Sequence, residues 1–231
     1  MKRPLGTSLF ALAALAMAVS AAGAGIRPYV RVGAGGSQLV MSDVNTQISA
    51  LQASFQSVNI PADLHSVGAG FGPFGSAGLW LFPDLRVGAT VSYLRSTLHN
   101  RVHTPGVVFY DDQADFRMTE FGGEAALRIV SLGGLMIGGQ VGQGRGELIE
   151  GYSWEDAGGQ TYIDDTANRT QTTYGAFLGF DQTNERGLAG FVRAGYVWRK
   201  IGSMPSSGIL SDGVTSVPIT GQSVKMDFSG F

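Results

Sequence analysis

The chain of 231 residues has no cysteine. That excludes a disulfide scaffold, thiol catalysis and Cys-ligated zinc. Charge is scarce: 16 Lys and Arg stand against 18 Asp and Glu, and charged residues make up only 15% of the chain. A balance so near neutral gives no footprint for nucleic acid, which asks for a strongly basic surface. Beyond the first 24 residues no apolar run is long enough for a transmembrane helix, since each is cut by Gly or charge. What is abundant is apolar residues, at 44%, and glycine, at 35 residues. The apolar content argues against disorder, and the lack of a G-X-Y period argues against collagen. A chain rich in Gly and apolar residues but poor in charge points to β-structure.

The first segment reads as an address. Met1-Lys2-Arg3 is a short basic start, Leu9 to Val19 is apolar, and Ser20-Ala21-Ala22-Gly23-Ala24 is a run of small residues. This is the pattern of a secretory signal peptide over 1–24. Ala22-Gly23-Ala24 predicts cleavage before Gly25, with Val19-Ser20-Ala21 as the near alternative. The mature domain is then 25–231.

Period-2 alternation recurs along the rest of the chain, the mark of strands with two unlike faces. Leu85, Val87, Ala89, Val91 and Tyr93 share one face; Arg86, Gly88, Thr90 and Ser92 share the other. Eight such segments are predicted, at 27–40, 66–82, 85–98, 116–130, 135–148, 171–181, 188–200 and 219–231. Short turns join strands two and three at Pro83-Asp84, four and five at 131–134, and six and seven at 182–187. The other four connections are expected to be long polar loops of roughly 15 to 25 residues. The non-apolar face is mostly Gly, Ala, Ser and Thr with isolated charges. That suits a narrow polar lumen better than a solvated surface, while the aliphatic face with aromatics near one end suits lipid.

The signal peptide, the opening Pro28-Tyr29-Val30-Arg31-Val32-Gly33-Ala34-Gly35 and the Gly-rich alternating strands resemble the small outer-membrane β-barrel proteins of Gram-negative bacteria, of the OmpA/OmpX type. The resemblance implies an all-β fold: an eight-stranded antiparallel up-and-down transmembrane β-barrel, monomeric in the bacterial outer membrane. It implies contact with outer-membrane lipid, lipopolysaccharide and the barrel-insertion machinery. It also implies a structural or surface-interaction role, with ligands met through the loops, no cofactor and no chemistry of its own. A narrow porin-like channel and a lipid-modifying enzyme are the alternatives. Family members commonly end in a lipid-facing Phe. Here Val224, Met226 and Phe228 share one parity and Phe231 lies on the other. The last strand is therefore expected to be missing about 4–8 residues against a full span, the alternative being a short but complete strand.

The inward parity collects Arg31, Arg86, Glu120, Glu124, Arg128, Gln140 and Arg193. Both signs on neighbouring strands predict an interior charge network, since buried charges persist when paired. At the outer rim Tyr93, Arg95, Trp198 and Lys200 are placed to meet lipid and lipopolysaccharide headgroups. In the first loop Val44, Ile48, Leu51, Phe55 and Val58 are spaced by 4, 3, 4 and 3. That spacing predicts an amphipathic helix capping the barrel mouth. His65, His99 and His103 fall near the predicted outer loops, with Ser66 and Ser96 close in sequence but no orienting acid fixed by the pattern. No metal site is read. Acidic stretches at 111–115 and 150–165 lack the spacing of a calcium loop and read as a solvated surface.

Overall fold

A computed structural model describes residues 26–132, 134–183 and 189–230. The expected signal segment 1–24, residues 184–187 of an expected turn and the terminal Phe231 lie outside the described residues. The elements in chain order are β1 (Arg27–Gln38), α1 (Ser42–Ser57), β2 (Ala69–Trp80), β3 (Leu85–Thr104), β4 (Val108–Ile129), β5 (Leu135–Asp156), β6 (Gly159–Thr183), β7 (Ala189–Trp198), β8 (Lys200–Ser211) and β9 (Ser216–Asp227). The fold is all-β with one helix. The strands form a single antiparallel sheet in the order β1-β2-β3-β4-β5-β6-β8-β9, with β7 also paired to β6.

Two expectations are corrected. The described strands number nine, not eight. The seventh predicted strand runs past its expected end and breaks at Arg199. Its first part, β7, pairs with the lower half of β6, and its second part, β8, pairs with the upper half. The sheet is also not closed by a continuous ladder. Among the described residues β1 pairs along its length only with β2. The two edges meet at one point, where Gly230 bridges both Leu39 and Val197, with Val40 N–H donating to the Ser229 carbonyl at 3.0 Å.

Three of the four expected polar loops are strand. β3 and β4 run on to a turn at 105–107, where Gly106 takes a φ of +73° that a side chain would strain. β5 and β6 meet across Ala157-Gly158. β8 and β9 meet at 212–215, where the Asp212 carboxylate accepts from the Val214 and Thr215 N–H groups at 2.8 and 2.6 Å.

The reason is an inversion of polarity without a change of parity. On β4, even-numbered residues point inward throughout. In the upper half they are Val108, Tyr110, Ala114, Phe116 and Met118, with one carboxylate, Asp112, among them, all buried, and in the lower half they are Glu120, Gly122, Glu124 and Ala126. The odd-numbered residues invert in step, from Asp111, Asp115 and Arg117 above to Phe121 and Leu127 below. β3 repeats this, with Arg86 inside and Val91 outside below, and Leu94, Leu98 and Val102 inside above. The upper half therefore holds the apolar core, and the lower half holds polar groups inside an exposed apolar surface.

The helix anticipated in the first loop completes the upper core. Ile48 and Phe55 are buried and Val44 and Leu51 half-buried, while Val58, expected on the same face, follows the last turn and is exposed. Phe55 packs on Tyr110 and stacks against Trp154. Asn45 pins the helix to the chain entering β2, donating to the Val67 carbonyl at 2.9 Å and accepting from its N–H at 2.8 Å.

Candidate functional site

The lower interior is an ion-pair network assembled from five strands and the break between β7 and β8. β3 supplies Arg86, β4 supplies Glu120 and Glu124, and β6 supplies Asp181. β1 supplies Arg31, β7 supplies Arg193, and Arg199 stands at the break before β8. Inward alternation puts all of them in one space. Arg86 and Glu124 pair at 3.2 Å with both side chains fully buried. Glu124 also pairs with Arg193 at 3.2 Å and accepts from the Tyr29 hydroxyl at 3.0 Å. Asp181 is shared between Arg31 and Arg86. Glu120 accepts from Arg199 at 3.0 Å, from Ser92 and Gln140 at 3.3 Å each, and from Thr173. Gln140 in turn accepts from Arg193 at 3.1 Å and so links the two halves.

Aromatic faces fill the remaining space. The Arg86 guanidinium lies over Tyr29 at 5.1 Å, and that of Arg193 over Phe177 at 4.6 Å and Phe74 at 5.1 Å. Charges this deep persist because several partners replace the lost water. Shared carboxylates tie strands together that have no ladder in common, such as β1 with β6 through Arg31 and Asp181. The paired Gly122 and Gly142 let β4 and β5 approach closely here: a side chain at Gly122 would strike the Val141 carbonyl oxygen, and one at Gly142 that of Phe121.

Arg31, Arg86, Glu120, Glu124 and Arg193 are brought together here. Arg128 is not: its guanidinium lies against Gly134, and its Nε has no hydrogen-bond partner among the described residues. Asp181 and Arg199 were missed by sequence reasoning. Both carry the inward parity of their strands, Asp181 with Gly179 and Phe177, Arg199 with Arg193, so extending the alternation to the strand ends would have found them.

Of the rim residues, Trp198 stacks on Tyr174 at 5.3 Å and meets Tyr196 edge-on. Arg95, on β3 two residues beyond Tyr93, pairs with Asp115 at 2.9 Å. Lys200 is exposed on β8, with β4, β5 and β6 between it and Arg95, so the two do not share a site. The histidines do not converge. His99 contacts Asp111 at 3.1 Å on the outer surface, Ser96 is buried on the inner face of the same strand, and His103 packs edge-on against Phe109. Among the described residues no group of three His, Asp or Glu is placed to hold a metal ion.

The upper core holds a second polar feature. Asp112, Glu150 and Asp165 all carry inward parity, and Glu150 is directly opposite Asp165 in the ladder. Burial, with repulsion from Asp112 and Asp165, pushes the Glu150 carboxyl up to about 7. Burial also raises Asp112, against the opposing hydrogen bond from Tyr110. No family model, curated protein or solved structure matches the chain.

Proposed function

We propose that this chain is a bacterial outer-membrane β-barrel protein. In this reading its lower half spans the bilayer, and its upper half is a helix-capped head that stands at the cell surface. The observation that carries the reading is the exposed apolar belt. Phe121 is 60% exposed, Leu127 53% and Val192 74%, and Val30, Val32, Val141, Tyr174 and Leu178 extend the belt around the same half. A patch this large is unsuited to water. With polar groups inside it, the arrangement matches a strand-built membrane span. Tyr174 and Trp198 give the belt aromatic residues near its upper margin.

β7 and β8 count in this reading as one strand interrupted at Arg199, giving eight staves. Membrane insertion leaves no backbone edge exposed to lipid, since each unpaired group costs several kcal/mol there. Among the described residues the lower stretches of β1 and β7 have ladder partners only in β2 and β6, and Gly230 enters between Leu39 and Val197 above them. The packed ion-pair network favours a structural or surface-interaction role over conduction, because eight staves leave an interior only wide enough for side chains.

The test is gel mobility of membrane-fraction protein in SDS, unboiled against boiled. A heat-dependent shift is expected. Protein recovered in the soluble periplasmic fraction with no shift would overturn the reading.

A further inference from the structure

The outer surface carries a cluster of arginines immediately above the apolar belt. Arg95 on β3 and Arg117 on β4 are direct partners in the ladder. Like charges placed opposite one another in a sheet repel. One carboxylate serves both: Asp115 accepts from Nε of each, at 2.9 Å in both cases. Arg145 on β5 faces Thr119, and among the described residues its only ion pair is a loose one to Glu147 at 3.8 Å. Three guanidinium groups thus share two carboxylates, one of them held at arm's length. The side chains are 52%, 34% and 59% exposed. Arg95 engages Asp115 through Nε, and no hydrogen bond among the described residues uses its terminal amino groups.

Directly below on the same face is a shallow apolar groove of about 90 Å³. Gly75, Ala77 and Ala89 form its floor, and Val30, Val32 and Phe121 its walls. The small floor residues make a trough between the larger ones. A cationic cluster above an apolar trough fits a molecule with an anionic head and a hydrocarbon tail.

We propose that Arg95, Arg117 and Arg145 bind the phosphate of a lipid headgroup, with one acyl chain of that lipid lying in the trough. This rests on the membrane reading above. Arg117 faces Glu147 across the ladder, but Arg95 has Asp115 alone among the described residues, so a phosphate adds a second anion beside Arg95, and guanidinium groups hold phosphate oxygens by paired charge-assisted hydrogen bonds. The arginines lie on β3, β4 and β5 and the trough on β1 to β4, with β5 and β6 between that sector and Lys200 on β8.

The experiment is native mass spectrometry of the detergent-solubilised protein with phosphatidic acid, and with diacylglycerol of the same chains. Wild type is expected to retain phosphatidic acid and not diacylglycerol, with excess inorganic phosphate failing to displace it. The triple change Arg95→Gln, Arg117→Gln and Arg145→Gln is expected to weaken phosphatidic acid retention about tenfold or more. Arg145→Gln alone, at the least paired position, is expected to weaken it about threefold. Equal retention by wild type and the triple variant, equal retention of diacylglycerol, or displacement by inorganic phosphate would each overturn the proposal. The heat-dependent gel shift is read on every sample. Its loss from wild type would count against the membrane reading itself, whereas a retained shift without phosphate preference would count against the arginine site alone.

Discussion

Phe55 of the helix stacks on Trp154 of β5, with ring centroids 5.7 Å apart and planes 14° from parallel. Tyr110 closes on both, at 5.7 and 6.1 Å. One helical side chain thus joins α1 to two strands of the upper half.

Phe55→Ala should empty that contact and cost about 3–5 kcal/mol of upper-half stability. The helix should become sensitive to limited proteolysis, and tryptophan fluorescence should change as Trp154 loses its neighbour. The lower half should be unaffected, so the heat-dependent gel shift should persist.

Glu124→Ala should act on the other half. It leaves Arg86 and Arg193 without their shared carboxylate, and removing one member of a buried ion pair costs about 3–5 kcal/mol. The temperature at which the unboiled gel form disappears should fall. An unchanged temperature would mean that the network adds nothing to stability.

Leu127→Arg separates the membrane reading from a soluble one. The side chain points outward and is exposed, so in water the change should be almost neutral. Two residues from the lower end of β4, it should cost about 1–2 kcal/mol in a bilayer, between the midplane and interface values. Recovery of the variant from the membrane fraction should drop sharply; undiminished recovery would contradict the outward-facing belt.

Stability of the upper half should depend on pH through Glu150. Its carboxyl is raised from 4.5 to about 7 in the folded chain, so the fold binds this proton more tightly than the unfolded chain does. The contribution is fully present below pH 4.5 and is lost as pH rises through about 7. Raised Asp112 acts in the same sense. Glu150→Gln should flatten the upper-half melting profile between those limits and raise stability at pH 8 by up to about 3 kcal/mol. A profile identical to wild type would refute the assignment.

The lower half was legible in the sequence because its two faces differ in kind: Gly88, Thr90 and Ser92 on one side, Val87, Ala89 and Val91 on the other. The helix was legible for the same reason, at a different period. The upper strands were not. Beyond Tyr93, the outward positions Arg95, Thr97, His99, Arg101 and His103 resemble a polar loop, although Leu94, Leu98 and Val102 alternate beneath them. An alternation that keeps its period but reverses its sense reads locally as an ending. The interior network was legible wherever a charge sat mid-strand, and Asp181 and Arg199 escaped because they sit where strands were expected to stop. Arg95 was legible as a rim residue, but Arg117 and Arg145 beside it were not, because the three come from three strands and nothing local in the sequence sets the register that places Arg95 against Arg117.

The unbroken parity of β3 and β4 through the polarity inversion limits how this chain can vary in length. A single residue inserted between Met118 and Phe121 would turn every later or earlier side chain of β4 to the opposite face. The upper half would then present Tyr110 and Phe116 to water and take Asp111, Asp115 and Arg117 into its core. Unless a bulge absorbs the extra residue, as the register shifts between β8 and β9 do, such strands change length two residues at a time, with the partner across the hairpin changing in step. Viable length variants in the upper stretches of β3 and β4 should therefore differ by even numbers, while the turn at 105–107 remains free to take any count.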